Sequence, residues 1–577
     1  MKLEKEHISR CGIFLFFDKE GIVDDYILRM LGDMKKCMDH LLVVCNGFVT
    51  LKGLERLGTV SDEVLCRANI GLDVGGYRDG LFHIGFDRLS HFDELVLFNY
   101  TFFGPLDSFE EMFEEMSRRD VDFWGITKHH MMDETQNPIP GIRYGYMPDH
   151  LQSHFFALRP SLFMSYGYRD FMINRVNPRD YHESINEYEI IFTKYFEDLG
   201  YVWDLYSNTD VYRNYVFNPM MFRAKEMIRD LNCPIIKRRA FFTDYMDSLL
   251  NTCGETSIEA LEYIRENRPF PEKLFWDNIL RLENLREVHR QMHFNYILPK
   301  EECQVPDGVH PRFAVWIVVD SSEETLWYLD YLENFRDVNI FLTGEEEELE
   351  KVRKLADNNR IYFVPISGKN YYLNVLAKAS RYWKQYPYMC VLGMHGRHTE
   401  MPVTFDRSAE YQAWENMAGS PAYIANILQV FEENPHLGLL IPPTPVHGEW
   451  PKLLEDGWMG RFDRVSSMMK EWEIPVNIKR SSEPLFPVEG CFWVRTRLLE
   501  AFTSLRPISI LEREAFLLTV PLIIQKQFYY TGVAMTEEYA AVEITNQDYM
   551  LRETNKAAFD RYGAGQFHEV VGRIRIS

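Results

Sequence analysis

The amino-acid sequence predicts an α/β protein made of two such units in tandem, joined by a helical connector. Three observations predict it. Short apolar runs alternate with helical patterns through the first 245 residues, as expected for strands of a mainly parallel sheet with helices on both faces. The same order of elements restarts after residue 310. Between them, residues 244–300 turn helical and charged, and 301–311, EECQVPDGVHP, read as a linker. The two units run over about 10–245 and 310–545, and the domain boundaries drawn are 1–243, 244–309 and 310–577.

Each element has its own signal. CGIFLFF (11–17) is an apolar strand ending at Asp18, and 22–40 has helical periodicity. LLVVCNG (41–47) is a second strand, 61–69 holds a third, and FDELVLFN (92–99) contains a fourth. The helix 107–119 opens with Asp107 and Ser108 as N-cap candidates. Strands follow at 122–126 and 152–160, then a helix over 183–199. In the second half, 313–320 ends in Asp320 as the first strand ended in Asp18. Then 338–344 answers 41–47, 361–367 answers VLCRANI (64–70), and 387–395 answers ELVLFNYT (94–101). The helix and strand of 424–442 answer 107–126, and 510–518 answers 185–193. Aligning Phe156 with Phe492 also aligns Arg159 with Arg495 and Leu162 with Leu498. A diverged internal duplication is the expectation.

Composition narrows the function. The 577 residues carry 63 Lys+Arg against 86 Asp+Glu, a formal charge of −23 that argues against a general binder of nucleic acid or anionic membrane. With 46% hydrophobic and 26% charged residues the chain is globular, and its length asks for more than one core. No run approaches the ~18 to 20 apolar residues of a spanning helix. The best stretch, Phe516 to Ile524, is broken by Thr519 and Pro521. The N-terminus lacks a signal-peptide core, and the nine scattered cysteines contain no CxxC, so a reduced, cytoplasmic protein is expected. Aromatic residues reach 14%, a content that suits either a ring-rich core or a sugar site.

Ligands of open α/β sheets bind at the carboxyl ends of strands, and four segments fall there. Asp18 could accept from a base or ribose, or cap a helix entry. Residues 67–80 follow the third strand. Gly71, Gly75 and Gly76 would let backbone approach a ligand, Arg67 could meet a diphosphate, and Asn69 and Asp73 could bind base or sugar hydroxyls. This is neither a Walker A loop nor GxGxxG. Third, Asn99-Tyr100-Thr101 stands where metal-using transferases place Asp-x-Asp; being neutral, it is a poor anchor for Mg²⁺ or Mn²⁺. No metal is therefore assigned and no cofactor is required. The leaving charge would fall to basic groups, with Lys128, His129, Lys237 and Arg238 as candidates. Fourth, Glu189 lies among apolar neighbours on the helix 183–199, where burial would raise its pKa and suit a general base; Glu183 and Glu187 share another face.

As a linked set, R-x-N-x-G-x-D-x-G-G-Y-x-x-G, DELVLFNYTFFGPLDSFEEMFEEM, DFWGI, HLQSHFFALRP, YEIIFTKYFEDLGY and PIIKRRAFF resemble the rhamnan synthesis protein F family, most strongly over 10–245 and more weakly through 310–545. The resemblance implies two GT-A-like, nucleotide-diphospho-sugar transferase units. It implies an inverting glycosyltransferase of cell-wall, capsule or O-antigen assembly. The donor would be dTDP-L-rhamnose and the acceptor a growing glycan, often polyprenyl-linked, with peripheral attachment at the membrane's inner face. Family motif positions fall on Arg67, Asn69, Gly71, Asp73, Gly75, Asn99, Gly104, Pro105, Gln152 and Glu189, with His154 beside them as an acceptor or phosphate contact. Many members have N-D-S where this chain has Asn99-Tyr100-Thr101, so a family Asp is missing. In the second half, His395, Arg397 and Glu514 are the candidates, and His395-Gly396-Arg397-His398-Thr399 departs from the basic segment of the family. Two other classes stay open: a non-catalytic carbohydrate- or nucleotide-binding scaffold, and a transferase of another sugar.

Overall fold

The computed structural model describes the chain outside residues 1, 4, 134–143, 304–311, 323–324, 336–337, 356–359, 367–375, 377–381, 396–402, 448–455, 507–511 and 577. For 325–327, 403–407, 562 and 564–576 it describes backbone only. Apart from the last three residues, the chain divides into two compact units, Met1–Asn278 and Ile279–Ile574.

The first unit is built on a seven-stranded sheet in the order Trp203–Leu205, Phe123–Gly125, Phe155–Leu158, Glu94–Asn99, Arg10–Phe16, His40–Asn46, Glu63–Arg67. All neighbours are parallel except Phe155–Leu158, which runs antiparallel to both Glu94–Asn99 and Phe123–Gly125. The strands Arg10–Phe16, His40–Asn46 and Glu94–Asn99 are buried at every residue, which is why they read as unbroken apolar runs. Trp203–Leu205 has no such run in the sequence and is a strand the sequence reading lacks.

Residues 244–278, expected as a connector, pack with the first unit. Phe275 lies 4.9 Å from Phe103 and 5.1 Å from Phe241, ring to ring, and stacks on Phe270 at 4.6 Å. Asn295–Leu298 instead adds a parallel strand beside Tyr530–Thr536 in the second unit. The charged residues of this stretch mark one helix face only, and the other face is core.

The second unit holds an eight-stranded sheet in the order Asn295–Leu298, Tyr530–Thr536, Leu437–Ile441, Phe492–Arg495, Tyr388–Met394, Phe313–Val319, Asn339–Gly344, Ile361–Pro365. After its added edge strand, the chain order of the strands is that of the first sheet. Phe492–Arg495 is antiparallel to both neighbours, as Phe155–Leu158 is. Phe156 pairs with Leu97 and Phe492 with Val391. Both strands lead into an arginine that ties down a helix end: Arg159 Nη2 donates to Met116 O at 2.9 Å, and Arg495 Nη2 to Phe431 O and Asn434 O.

Candidate active site

The glycine-rich segment becomes the helix Leu72–Ile84, entered through Gly71 at φ +77°. Its glycines serve close packing. A Cβ on Gly76 would stand 2.1 Å from Leu15 Cδ1, and one on Gly75 2.2 Å from Ile70 O. Gly75 and Gly76 are buried, so the approach they permit is of the helix to its own entry turn at Ile70 and to the sheet at Leu15, where ligand approach was expected. Arg67 binds the same turn. It donates to Asp79 at 2.6 Å, Asn46 Oδ1 at 2.5 Å and Ile70 O at 2.7 Å, so its guanidinium is engaged on every side by protein. Asn69 is exposed at the rim of this turn.

What the helix presents to the sheet edge is Asp73. Asn99 Nδ2 donates to Asp73 Oδ2 at 2.9 Å, and Asn99 Oδ1 accepts from Thr101 N and Thr101 Oγ1 at 3.1 and 2.7 Å. Asn99 thus holds a carboxylate by donating an amide N–H, which an Asp in its place could not do. Burial, with the Glu189 carboxylate near, pushes the Asp73 carboxyl up to about 6, against the Asn99 bond and the Lys237 ammonium.

Glu189 sits in a π-helical turn, Ile185–Glu189, between the helices Tyr181–Ser184 and Ile190–Asp198. Such turns are rare and concentrate at functional sites. The extra residue re-aims Glu189 at Ser153, whose N–H donates to Glu189 Oε2 at 2.7 Å and whose hydroxyl donates to the same oxygen. Glu189 Oε1 lies 3.9 Å from His150 Nε2. Glu183 pairs with Arg179 on the surface and takes no part.

Lys237 comes from far along the chain. The short strand Ile236–Lys237 pairs antiparallel with Phe102–Phe103, just past Asn99, with Lys237 opposite Phe102. Its half-buried amine has no hydrogen bond or ion pair to any described residue. Burial draws its pKa down to about 8, while Glu189 and Asp73 act to hold the proton on. His154, buried beside Phe102, has no partner on either ring nitrogen among the described residues, and burial with the nearby Lys237 charge keeps it neutral. Arg238 turns to Asn278 Oδ1 at 2.7 Å.

Other expected residues lie elsewhere or are occupied. Asp18 accepts from the N–H groups of Glu20 and Ile22 at 2.9 and 3.0 Å, the cap reading of that residue. Gln152 accepts from Thr127 Oγ1 at 2.8 Å inside the core. The Lys128-His129-His130 cluster does not offer free cations. Lys128 is buried between Asp149 and Asp210, at 3.1 and 2.6 Å. His129 stacks on His150 at 5.2 Å, and burial drives its pKa down to about 3, leaving it uncharged. Among the described residues, one set, His130, Asp149 and Asp210, brings three possible metal-ligand atoms together. Its two carboxylates are already paired with Lys128 and Arg213, a poor fit to a dication.

In the second unit, His395 Nδ1 lies 2.7 Å from Asp320 Oδ2 and its Nε2 2.9 Å from Glu489 O. Arg513 reaches both His395 Nε2 and Glu489 Oε2. Glu514 faces outward to Arg461 at 3.5 Å, and Arg397 lies outside the described residues. Sequence reading missed Ser153 and Arg513. Ser153 stands within HLQSHFFALRP between the two residues picked there, Gln152 and His154, and both Ser153 and Arg513 matter through what the fold sets beside them.

The model of one protein family, rhamnan synthesis protein F, matches residues 41–509, most of the chain. The chain belongs to the rhamnan synthesis protein F family. Asp73, Asn99, Ser153, Glu189 and Lys237 all fall inside the match, while Asp18 and Glu514 fall outside it. A curated relative, the uncharacterized protein y4gN of Sinorhizobium fredii (strain NBRC 101917 / NGR234), is 26% identical over 211 residues, 35% of this chain and 49% of that protein. The chain therefore spans about half the length of this relative. Among solved structures, the glycosyltransferase GlyE of Streptococcus pneumoniae TIGR4 is similar at 11% identity and TM-score 0.26, over 68% of this chain and 87% of that one. A cytidylyltransferase of Leptospira borgpetersenii serovar Hardjo-bovis (strain JB197) is similar at 12% identity and TM-score 0.22, over 35% and 77%. Scores this low carry no weight for fold or activity. Among the described residues no helix is long and apolar enough to cross a membrane.

Proposed function

We propose that this family member is an inverting glycosyltransferase that moves L-rhamnose from dTDP-rhamnose to a growing, lipid-linked cell-surface polysaccharide, with the donor held at Asp73, Asn99 and Lys237. Family membership supports the reaction class. The observation that carries the site is the meeting of Asp73, Glu189 and an unpaired Lys237 where the central strands end. Both units are proposed to be GT-A-like copies of one ancestor, on the strength of their matching strand order.

The chemistry is a single displacement. Ser153 occupies Glu189 Oε2, which leaves Oε1 to take the proton of an acceptor hydroxyl. The freed oxygen attacks the anomeric carbon as the bond from that carbon to the diphosphate oxygen breaks. Lys237 meets the charge that develops on the departing diphosphate, in a half-buried setting where one ammonium counts for more than in water. Asp73, fixed by Asn99, orients sugar hydroxyls.

A thermal-shift screen of nucleotide sugars on the full chain, followed by transfer to a lipid-linked acceptor, tests this. Stabilisation and transfer with dTDP-rhamnose are expected. If another nucleotide sugar is preferred, the rhamnose assignment fails. If none stabilises or transfers, the enzyme assignment fails and a scaffold is left.

A further inference from the structure

The second unit contains a cavity of about 520 Å³ near one edge of its sheet. It opens beside Ile441, the last residue of Leu437–Ile441, and is lined also by Asn295 and by Val533 and Met535 of Tyr530–Thr536. That volume lies in the range of sites for small organic ligands and far exceeds what one inorganic ion fills.

Two guanidiniums face it. Arg286 Nε donates to Glu483 Oε1 at 2.8 Å, and Arg290 Nη2 donates to the same oxygen. Two cations share one carboxylate, so this wall keeps a net positive charge and spare N–H donors. The other lining charges are accounted for. Arg480 pairs with Asp463, and Asp456 accepts the turn N–H groups of Trp458 and Gly460. Glu543 also lines the cavity; it is 4% exposed, Gln547 donates to its Oε1 at 2.7 Å, and the buried Tyr539 hydroxyl lies against its carboxyl. Burial also raises the Glu543 pKa, which lessens its repulsion of an anion sharing the cavity. Trp458 and Phe486 form apolar wall.

We infer that this cavity is a saccharide site that binds a sugar phosphate, the phosphate on Arg286 and Arg290 and the sugar ring against the Trp458 and Phe486 wall. The guanidinium forks match phosphate oxygens in pairs. The aromatic wall suits a sugar ring's apolar face. The same chemistry is carried by a free sugar phosphate and by a lipid-linked one.

Isothermal titration of the full chain with α-D-glucose 1-phosphate tests it, beside arms with glucose, inorganic phosphate and a short-chain alkyl glucosyl phosphate. Binding of one or both sugar phosphates is expected, weakened at least tenfold in Arg290→Met and in Arg286→Met. Preference for the alkyl diester marks a lipid-linked source, and preference for the monoester a free one. Should Arg290→Met not fold, Thr444→Trp fills the cavity without touching the ion pair, and the same loss is expected. Absence of heat with both sugar phosphates, equal affinity for inorganic phosphate, parental affinity in Arg290→Met, or binding that survives Thr444→Trp would each overturn the site. None of these outcomes depends on donor turnover, so the proposed transferase activity stands or falls separately.

Discussion

Three residues before the aligned phenylalanines of the antiparallel strands, Phe156 and Phe492, each unit places a polar side chain at the strand ends, and the two choices are opposite. The first unit has Ser153, small and neutral, donating twice to the helix-borne Glu189. The second has Glu489, buried at φ +51°, with a helix-borne arginine, Arg513, on its carboxylate and His395 against its carbonyl. In the first the acid is on the helix and the strand side has no charge. In the second the acid is on the strand side and the helix brings the cation. The difference decides what charge is left over. Arg513 and Glu489 largely cancel, and Asp320 is drawn to His395. Among the described residues, no cation is bonded to Asp73 or Glu189, and Lys237 stands near with no side-chain bond of its own. A network that closes on itself supports a fold; one that leaves charge open can meet a ligand.

The largest effect should come from Glu189→Gln. The amide keeps the shape and accepts from Ser153 as before, yet cannot take a proton. Single-turnover transfer should slow by about 10²- to 10⁴-fold with donor affinity near parental and the melting temperature unmoved. Parental transfer would move the base elsewhere and break the contrast between units.

Next comes donor binding. Asp73→Ala removes a hydrogen bond to a charged group, and Lys237→Met removes the uncommitted cation. Each should weaken donor affinity by roughly 1.5 to 3 kcal/mol, about 10- to 100-fold, by calorimetry. Equal affinity in both variants and the parent would take the donor site out of the first unit.

His395→Ala sharpens the comparison from the other side. It leaves Asp320 and Arg513 short of a partner in a mostly buried network, at a cost of about 2 to 4 kcal/mol in denaturant unfolding. Donor affinity should not change. Loss of donor binding in a folded His395→Ala protein would show that the second cluster is also a ligand site.

Much of this was legible in the sequence. The apolar runs at 11–17, 41–47 and 92–99 marked buried parallel strands because both of their faces are covered. Asp73, Asn99 and Glu189 could be picked out because polar residues at strand ends or amid apolar runs need a reason. The glycines were seen but their partner was not. A sequence shows that backbone is bare, and only the fold shows that Leu15 and Ile70 fill the space at Gly76 and Gly75. The basic clusters misled for the same reason: burial takes the charge from His129 and two aspartates claim Lys128, and neither effect is local in sequence. Lys237 reaches the site through a two-residue strand pairing across more than 130 positions, which no periodicity announces.

The smallest effect is in the pH profile. Donor binding needs Asp73 ionised and Lys237 protonated, with pKa values of about 6 and about 8. Affinity should be flat near pH 7 and fall on both sides, by about fourfold at pH 5.5 and at pH 8.5 if each proton is fully coupled to binding. Stability runs differently. The folded Asp73 carboxyl holds its proton more tightly than an ordinary one at 3.8, so stability declines as pH rises from 3.8 to about 6 and is level above. The folded Lys237 ammonium gives up its proton more readily than an ordinary one at 10.5, so stability climbs from about 8 to 10.5. Lys237→Arg keeps its charge throughout and should flatten only the alkaline limb of binding, while Asp73→Asn should flatten only the acid limb. An alkaline limb that persists unchanged in Lys237→Arg would mean that another group titrates there, and that Lys237 is not the cation the donor meets.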